Sequence, residues 1–166
     1  PAPAPPPAPP APTPAPGPPT GYTGGIHKTE DGGKTWTTIF EDQGNFYFNG
    51  IHCSSETHCV AVAEGHNTGT PGAHIFVTTD GKNFTSKFFI AGPHASLMGA
   101  RMISETEGWA AGGDAKNQLQ IQSNFYHTLD GGETWGLESI KGIMALGIDC
   151  ADAKNCIAPG ILVTQQ

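Results

Sequence analysis

Arginine is almost missing from this chain. Arg101 is one of only eight basic residues, set against fifteen acidic ones for a formal net charge of −7. An acidic, arginine-poor surface argues against a phosphate-backbone partner, so no nucleic acid is expected. No run approaches the roughly 20 apolar residues of a membrane-spanning helix, which argues against membrane insertion. Helix start and stop signals are nearly absent, whereas glycine is abundant at 23 residues, a pattern of short strands and tight turns. Tyrosine is scarce as well, at Tyr22, Tyr47 and Tyr126. The seven histidines (His27, His52, His58, His66, His74, His94 and His127) fall at no spacing that would place two on one face of a helix, and no metal or cofactor is implied.

Proline is confined to one end. Twelve of the first twenty residues are proline, mostly with alanine between them, and only Pro71, Pro93 and Pro159 lie elsewhere. Proline fixes φ and removes the N–H donor, so this stretch joins neither sheet nor helix. The expected form is a polyproline II rod, about 60 Å if fully extended at roughly 3.1 Å per residue. The chain thus divides into a Pro/Ala-rich segment at 1–24 and a folded region at 25–166, the latter long enough for a hydrophobic core.

The four cysteines form two matched loops, Cys53–Cys59 and Cys150–Cys156, with the same separation and each followed by a short apolar run. Disulfides local to two hairpins are expected, and with them an oxidising compartment. A metal is the rival reading for the first pair, which has His52 and His58 beside it. The second pair has no histidine nearby, and neither pair has the Cys-x-x-Cys spacing of zinc sites.

One turn motif occurs three times. Thr29-Glu30-Asp31-Gly32-Gly33-Lys34-Thr35-Trp36 is the first, Thr78-Thr79-Asp80-Gly81-Lys82-Asn83-Phe84 a version one residue shorter, and Thr128-Leu129-Asp130-Gly131-Gly132-Glu133-Thr134-Trp135 the third. The aspartates at 31, 80 and 130 are 49 and 50 residues apart, and a period near fifty is the mark of a repeat architecture such as a propeller. Asp-Gly between apolar runs signals a hairpin, because glycine accepts the positive φ that the turn needs. The Asp carboxylate can accept backbone N–H groups inside the turn, and the aromatic residue can tuck beneath it. The residues expected to build these turns are Asp31, Gly32 and Trp36; Asp80, Gly81 and Phe84; and Asp130, Gly131 and Trp135. A structural role for the carboxylates is favoured over catalysis or calcium binding.

At these residues the chain resembles the Asp-box (BNR repeat) family of sialidases, sortilin-type receptors and photosystem II assembly factors. Glu107-Gly108-Trp109-Ala110-Ala111-Gly112-Gly113 is similar to the second strand of the assembly-factor type. The resemblance implies an all-β fold, a partial β-propeller of about three four-stranded antiparallel blades, with each box joining the third and fourth strands of a blade. It does not carry over activity. A sialidase clamps its substrate carboxylate with three arginines, whose bidentate geometry lysine cannot reproduce, and an assembly factor presents an arginine-rich patch. One arginine builds neither, so no enzyme is expected.

Strand counting gives C-D, A-B-C-D, A-B-C-D and A-B-C, the last strand being placed at Ile161–Thr164. Such an arc leaves open edges. Three explanations stand: a fragment of a longer chain, a ring closed by a second copy, or head-to-tail stacking in which one copy's first hairpin completes the next copy's last blade. Asn83-Phe84-Thr85 is the only N-glycosylation sequon, and the Thr-bearing proline runs, with Thr13 and Thr20, resemble hydroxyproline-rich glycoproteins of algae and plants. Glu105, Glu107 and Asp114 read as a local acidic cluster, and 66–73 as an insertion at a blade rim. The expected function is a secreted structural glycoprotein, the repeating subunit of an extracellular fibre or matrix, with copies of itself and covalent glycans as partners. The alternative is a glycan- or protein-binding module of a larger propeller.

Non-reducing peptide mapping is expected to recover Cys53–Cys59 and Cys150–Cys156 as linked pairs. Free thiols, or a Cys53–Cys156 link, would overturn the hairpin pairing.

Overall fold

The computed structural model describes residues 23–65, 71–115 and 121–162. The proline segment with Thr13 and Thr20, Tyr22, positions 66–70 of the expected rim insertion, and Val163 and Thr164 lie outside the described residues. Every described element is a β-strand.

Two antiparallel four-stranded meanders dominate. The first runs β3 (Phe46–Cys53), β4 (Cys59–Gly65), β5 (Gly72–Thr78) and β6 (Thr85–Ala91), each strand paired with its successor. The second repeats that order with β7 (Ala95–Met102), β8 (Gly108–Ala115), β9 (Ile121–Thr128) and β10 (Gly136–Lys141). Ahead of them, β1 (Gly25–Lys28) and β2 (Thr37–Glu41) form a two-stranded sheet. Behind them, β11 (Ile143–Ala145) pairs with β14 (Gly160–Leu162), and β12 (Asp149–Cys150) with β13 (Cys156–Ile157).

The sheets stack face to face. Strand β4 is buried along Cys59–Ala63, and its alternate side chains serve two different cores. Val60 and Val62 join Ile75 and Val77 against Leu97, Ala100, Met102, Ala110, Tyr126 and Trp135 of the second meander. Ala61 and Ala63 join Phe76 and Phe84 on the opposite face, against Ile26 of β1 and Ile39 and Phe40 of β2. There Phe40 meets Phe48, Phe76 and Phe84 edge-on, with centroids 5.6, 5.7 and 6.3 Å apart, the arrangement that ring quadrupoles favour. A strand covered on both faces has no polar side, which is why Val60-Ala61-Val62-Ala63 lacks alternation. The other face of the second meander is covered in part by β11, where Ser123 Oγ donates to the Ile143 carbonyl and accepts from Ala145 N–H at 2.9 and 2.8 Å.

The last strands depart from the strand count. Residues 160–162 do not form a third strand: β14 pairs with β11, in register Ile143↔Leu162 and Ala145↔Gly160, continuing the line of β13. Pro159 interrupts that line because it has no N–H to offer, and its carbonyl still accepts from Leu146 N–H at 2.8 Å. In sequence the interruption looks like a turn. The described residues after β10 therefore make one two-stranded ribbon, equivalent to β3–β4.

Leu97 is fully buried between the meanders. Leu97→Ala is expected to cost about 2–5 kcal/mol, the range for a large-to-small change in a close-packed core, read from urea unfolding followed by tryptophan fluorescence. A loss under about 1 kcal/mol would show that the two meanders are not packed as described.

Candidate functional site

The three box turns are built alike from their carboxylates upward. In the first, Lys34 and Thr35 N–H both donate to Asp31 Oδ1 at 2.9 Å, and Thr35 Oγ1 donates to Oδ2 at 2.6 Å. Thr29 Oγ1 donates to Asp31 Oδ1 and accepts from Gly33 N–H. In the third, Thr134 N–H and Oγ1 donate to Asp130, while Thr128 Oγ1 donates to Asp130 and accepts from Gly132 N–H. Gly32, Gly33, Gly131 and Gly132 all have positive φ, between 73° and 96°. The shorter second turn has a single such residue, Gly81 at 70°, and Asn83 takes the threonine's place: its N–H and Nδ2 donate to the two oxygens of Asp80 at 2.7 and 2.6 Å. The amide nitrogen of the sequon is thus already engaged in the turn.

These contacts hold the carboxylates ionised. The Thr35 hydroxyl, then the Thr35 N–H, lowers the Asp31 pKa to about 2. The Thr134 hydroxyl, then its N–H, does the same for Asp130, also to about 2. Asp80 is lowered as well, chiefly by Asn83 N–H. Both oxygens of each carboxylate accept hydrogen bonds from within its own turn.

The boxes differ in what lies against them. Gly81 N–H donates to the Thr57 carbonyl at 2.9 Å and Gly131 N–H to the Thr106 carbonyl at 2.7 Å, so the second and third boxes rest on the strand turns of their own sheets. Phe84 and Trp135 are 8% and 9% exposed, and the indole Nε1 donates to the Gly132 carbonyl. The third box also reaches the neighbouring sheet, where His58 Nε2 lies 3.0 Å from the Gly131 carbonyl oxygen. The first box has none of this. A Cβ placed on Gly32 or Gly33 would meet nothing within 4 Å, and Trp36 is 63% exposed rather than tucked beneath its turn. The physical reason is that, among the described residues, β1 pairs with β2 only and no strand turn lies behind the box.

Beside β1 the surface is hollow. One cleft of about 480 Å³ is lined by Lys28, Glu30, Asp31, Thr35 and Lys82, and another of about 280 Å³ runs between Ile26 of β1 and Phe48, Gly50 and Ile51 of β3. At the far end of the stack β13 and β14 present a second open edge, with Ile157, Ile161 and Leu162 at 78%, 50% and 68% exposure. These two open edges, with the grooves beside them, are the candidate functional surface.

The remaining sequence candidates are distributed as follows. Cys53–Cys59 and Cys150–Cys156 are closed as disulfides across directly opposed strand residues, Cα–Cα 4.0 Å in each, and such bridges fit an oxidising environment. At the equivalent turn without cysteines, Ser104 Oγ instead accepts from the Thr106 and Glu107 N–H groups. His52 faces the Arg101 guanidinium, 2.6 Å from Nε2, and burial followed by that cation lowers its pKa. Among the described residues no three His, Cys, Asp or Glu side chains converge. The expected acidic cluster is split: Glu107 lies 3.2 Å from His127 Nε2, which stacks on Trp109, while Asp114 is at the other end of β8. The cross-sheet contact of His58 had no sequence signal beyond its place before Cys59.

A depressed folded-state pKa stabilises the fold above the ordinary carboxylate value and loses that contribution as pH falls through the folded value. The melting temperature is expected to drop between about pH 4 and about pH 2, and Asp130→Ala to lower it by several degrees at neutral pH while shrinking the acid-induced drop. A variant that loses a partner contact at unchanged melting temperature would contradict the structural assignment. Comparison with family models, curated proteins and solved structures finds no match to this chain, so its function is read from these edges and turns.

Proposed function

We propose that this chain is a structural subunit of an extracellular fibre or matrix, a partial Asp-box β-propeller carried on a polyproline rod, whose copies complete one another's blades. The observation that carries this reading is the complementarity of the two open ends. The β11–β14 ribbon corresponds to the first two strands of a blade and β1–β2 to the last two, with its box. Joined edge to edge, they make a four-stranded sheet of the same order as β3–β6. Main-chain hydrogen bonds supply the affinity in such strand addition. Exposed apolar residues occur at both ends, Trp36 and Ile51 beside β1 and Ile157, Ile161 and Leu162 on the ribbon, and also elsewhere, at Phe89, Leu129, Leu137 and Ile140.

The self-bonded carboxylates and the single arginine favour a structural role over catalysis. The two disulfides favour a secreted setting. Glycans on Thr13, Thr20 and Asn83 would clothe the rod and the outer rim; N-linkage at Asn83 leaves one amide hydrogen for Asp80. A second reading, a glycan- or protein-binding module of a larger propeller, rests on the polar cleft at Lys28, Asp31 and Lys82.

The test is the mass of the native assembly, with electron microscopy of the same sample. Polymers or closed oligomers of the intact chain are expected, and deletion of residues 1–40 is expected to abolish growth while leaving a species that caps chain ends. A stable monomer at high concentration, or unchanged assembly of the deletion, would overturn the reading in favour of the binding module.

A further inference from the structure

Strands β3, β7 and the β11–β12 line occupy the same place in three successive sheets, and each has a glycine three residues before the position of Cys53, Met102 and Cys150: Gly50, Gly99 and Gly147. These glycines form a column of backbone-to-backbone contacts. A Cβ on Gly50 would lie 3.2 Å from the Gly99 Cα, and one on Gly99 would lie 3.1 Å from the Gly147 Cα, so a side chain at either site would press on the neighbouring backbone. On Gly147 the same direction is open, with only Pro159 Cγ at 3.8 Å. Gly147 is not among the positive-φ residues, so its backbone does not itself require glycine. Gly50, in turn, lines the groove along β1.

Resting on the blade-completion reading, we propose that this groove takes the β11–β14 ribbon of a second copy, with Gly147 of that copy set against Gly50. The column then continues across the joint with the contact it makes twice inside the chain. A second series agrees. His52, Arg101 and Asp149 sit one residue before the positions of Cys53, Met102 and Cys150; Arg101 contacts His52, and its Nε lies 3.2 Å from Asp149. One further step places the incoming copy's Asp149 beside His52, acid against imidazole.

The pairing register follows from the internal repeats. Val60 opposes Val77 and Trp109 opposes His127, each the residue before a box threonine facing the residue after a strand turn begins its return. The corresponding pair at the joint is Lys28 of one copy and Ile157 of the next. Gly32 N–H then meets the carbonyl of Lys154, as Gly81 meets Thr57 and Gly131 meets Thr106. This fills the space left empty around the first box.

Two measurements on the full chain test this. Gly147→Val is expected to fold with an unchanged melting temperature but to raise the concentration needed for assembly by about tenfold or more, since over-packing a tight contact opposes association. Gly99→Val, whose Cβ would press at 3.1 Å on the Gly147 backbone inside the chain, is expected to lose stability instead. In a mixture of Lys28→Cys and Ile157→Cys chains, oxidation is expected to yield the mixed covalent dimer, whereas Lys28→Cys with Leu162→Cys yields none. Assembly of Gly147→Val at the wild-type concentration, or cross-linking at position 162 as efficient as at 157, overturns this register and leaves self-assembly standing. A wild-type chain that stays monomeric overturns both.

Discussion

Burial on both faces of a sheet is the constraint on which the rest of this structure depends. Strand β4 has no polar side because the second meander covers Val60 and Val62 while β1–β2 cover Ala61 and Ala63. Each sheet is therefore the floor of the next, and stability accumulates by stacking rather than within one sheet, as in other repeat architectures. Stacks of this kind have a difficulty at their ends. The last sheet has a bare face and, where it is short of strands, a bare edge, and such edges recruit further strands. The ends of this stack are the β1–β2 hairpin, with Trp36 turned to solvent, and the β11–β14 ribbon, with Ile157 and Leu162 exposed.

Close backbone approach fixes how tightly the sheets stack. At Gly50 and Gly99 the inner strands meet so closely that a Cβ would lie 3.2 and 3.1 Å from the next backbone, so backbone contact sets the spacing of successive sheets there. The box turns finish the opposite side. Each is held by its own carboxylate, and the second and third are clamped onto a neighbouring strand turn through the Gly81 and Gly131 N–H groups. The first box has the same carboxylate bonds but lacks the clamp and the buried aromatic residue. It is complete as a turn and unfinished as a contact, which is the strongest physical reason to look for a partner there.

Much of this was legible in the sequence, for reasons that can be stated. The boxes announce themselves because Asp-Gly chemistry is local, and the period of the aspartates places the meanders. The matched cysteine loops mark two hairpins whose strands oppose residue for residue. What escaped notice depends on distance or on a missing signal. The pattern that places a separate strand at Ile161–Thr164 cannot reveal that Pro159 is a gap in one continuous strand line, because loss of one N–H does not end a ladder whose carbonyl still accepts from Leu146. The role of His58 depends on a carbonyl 73 residues away. Asn83 stands in for a threonine only because its side-chain amide reaches Asp80 as a hydroxyl does. Strand β5 begins earlier than its apolar pattern suggests, since Gly72 keeps the ladder without a side chain.

The central claim is that the two open edges meet each other between copies. Amide hydrogen exchange, followed residue by residue as the chain is concentrated, tests it most directly, because edge N–H groups exchange freely until a strand is added. The account predicts that amides of Gly25–Lys28 and of Cys156–Leu162 slow together as assembly proceeds, while those of β10 stay as they were. Assembly that leaves both edges exchanging freely, or that protects β10 instead, would contradict it.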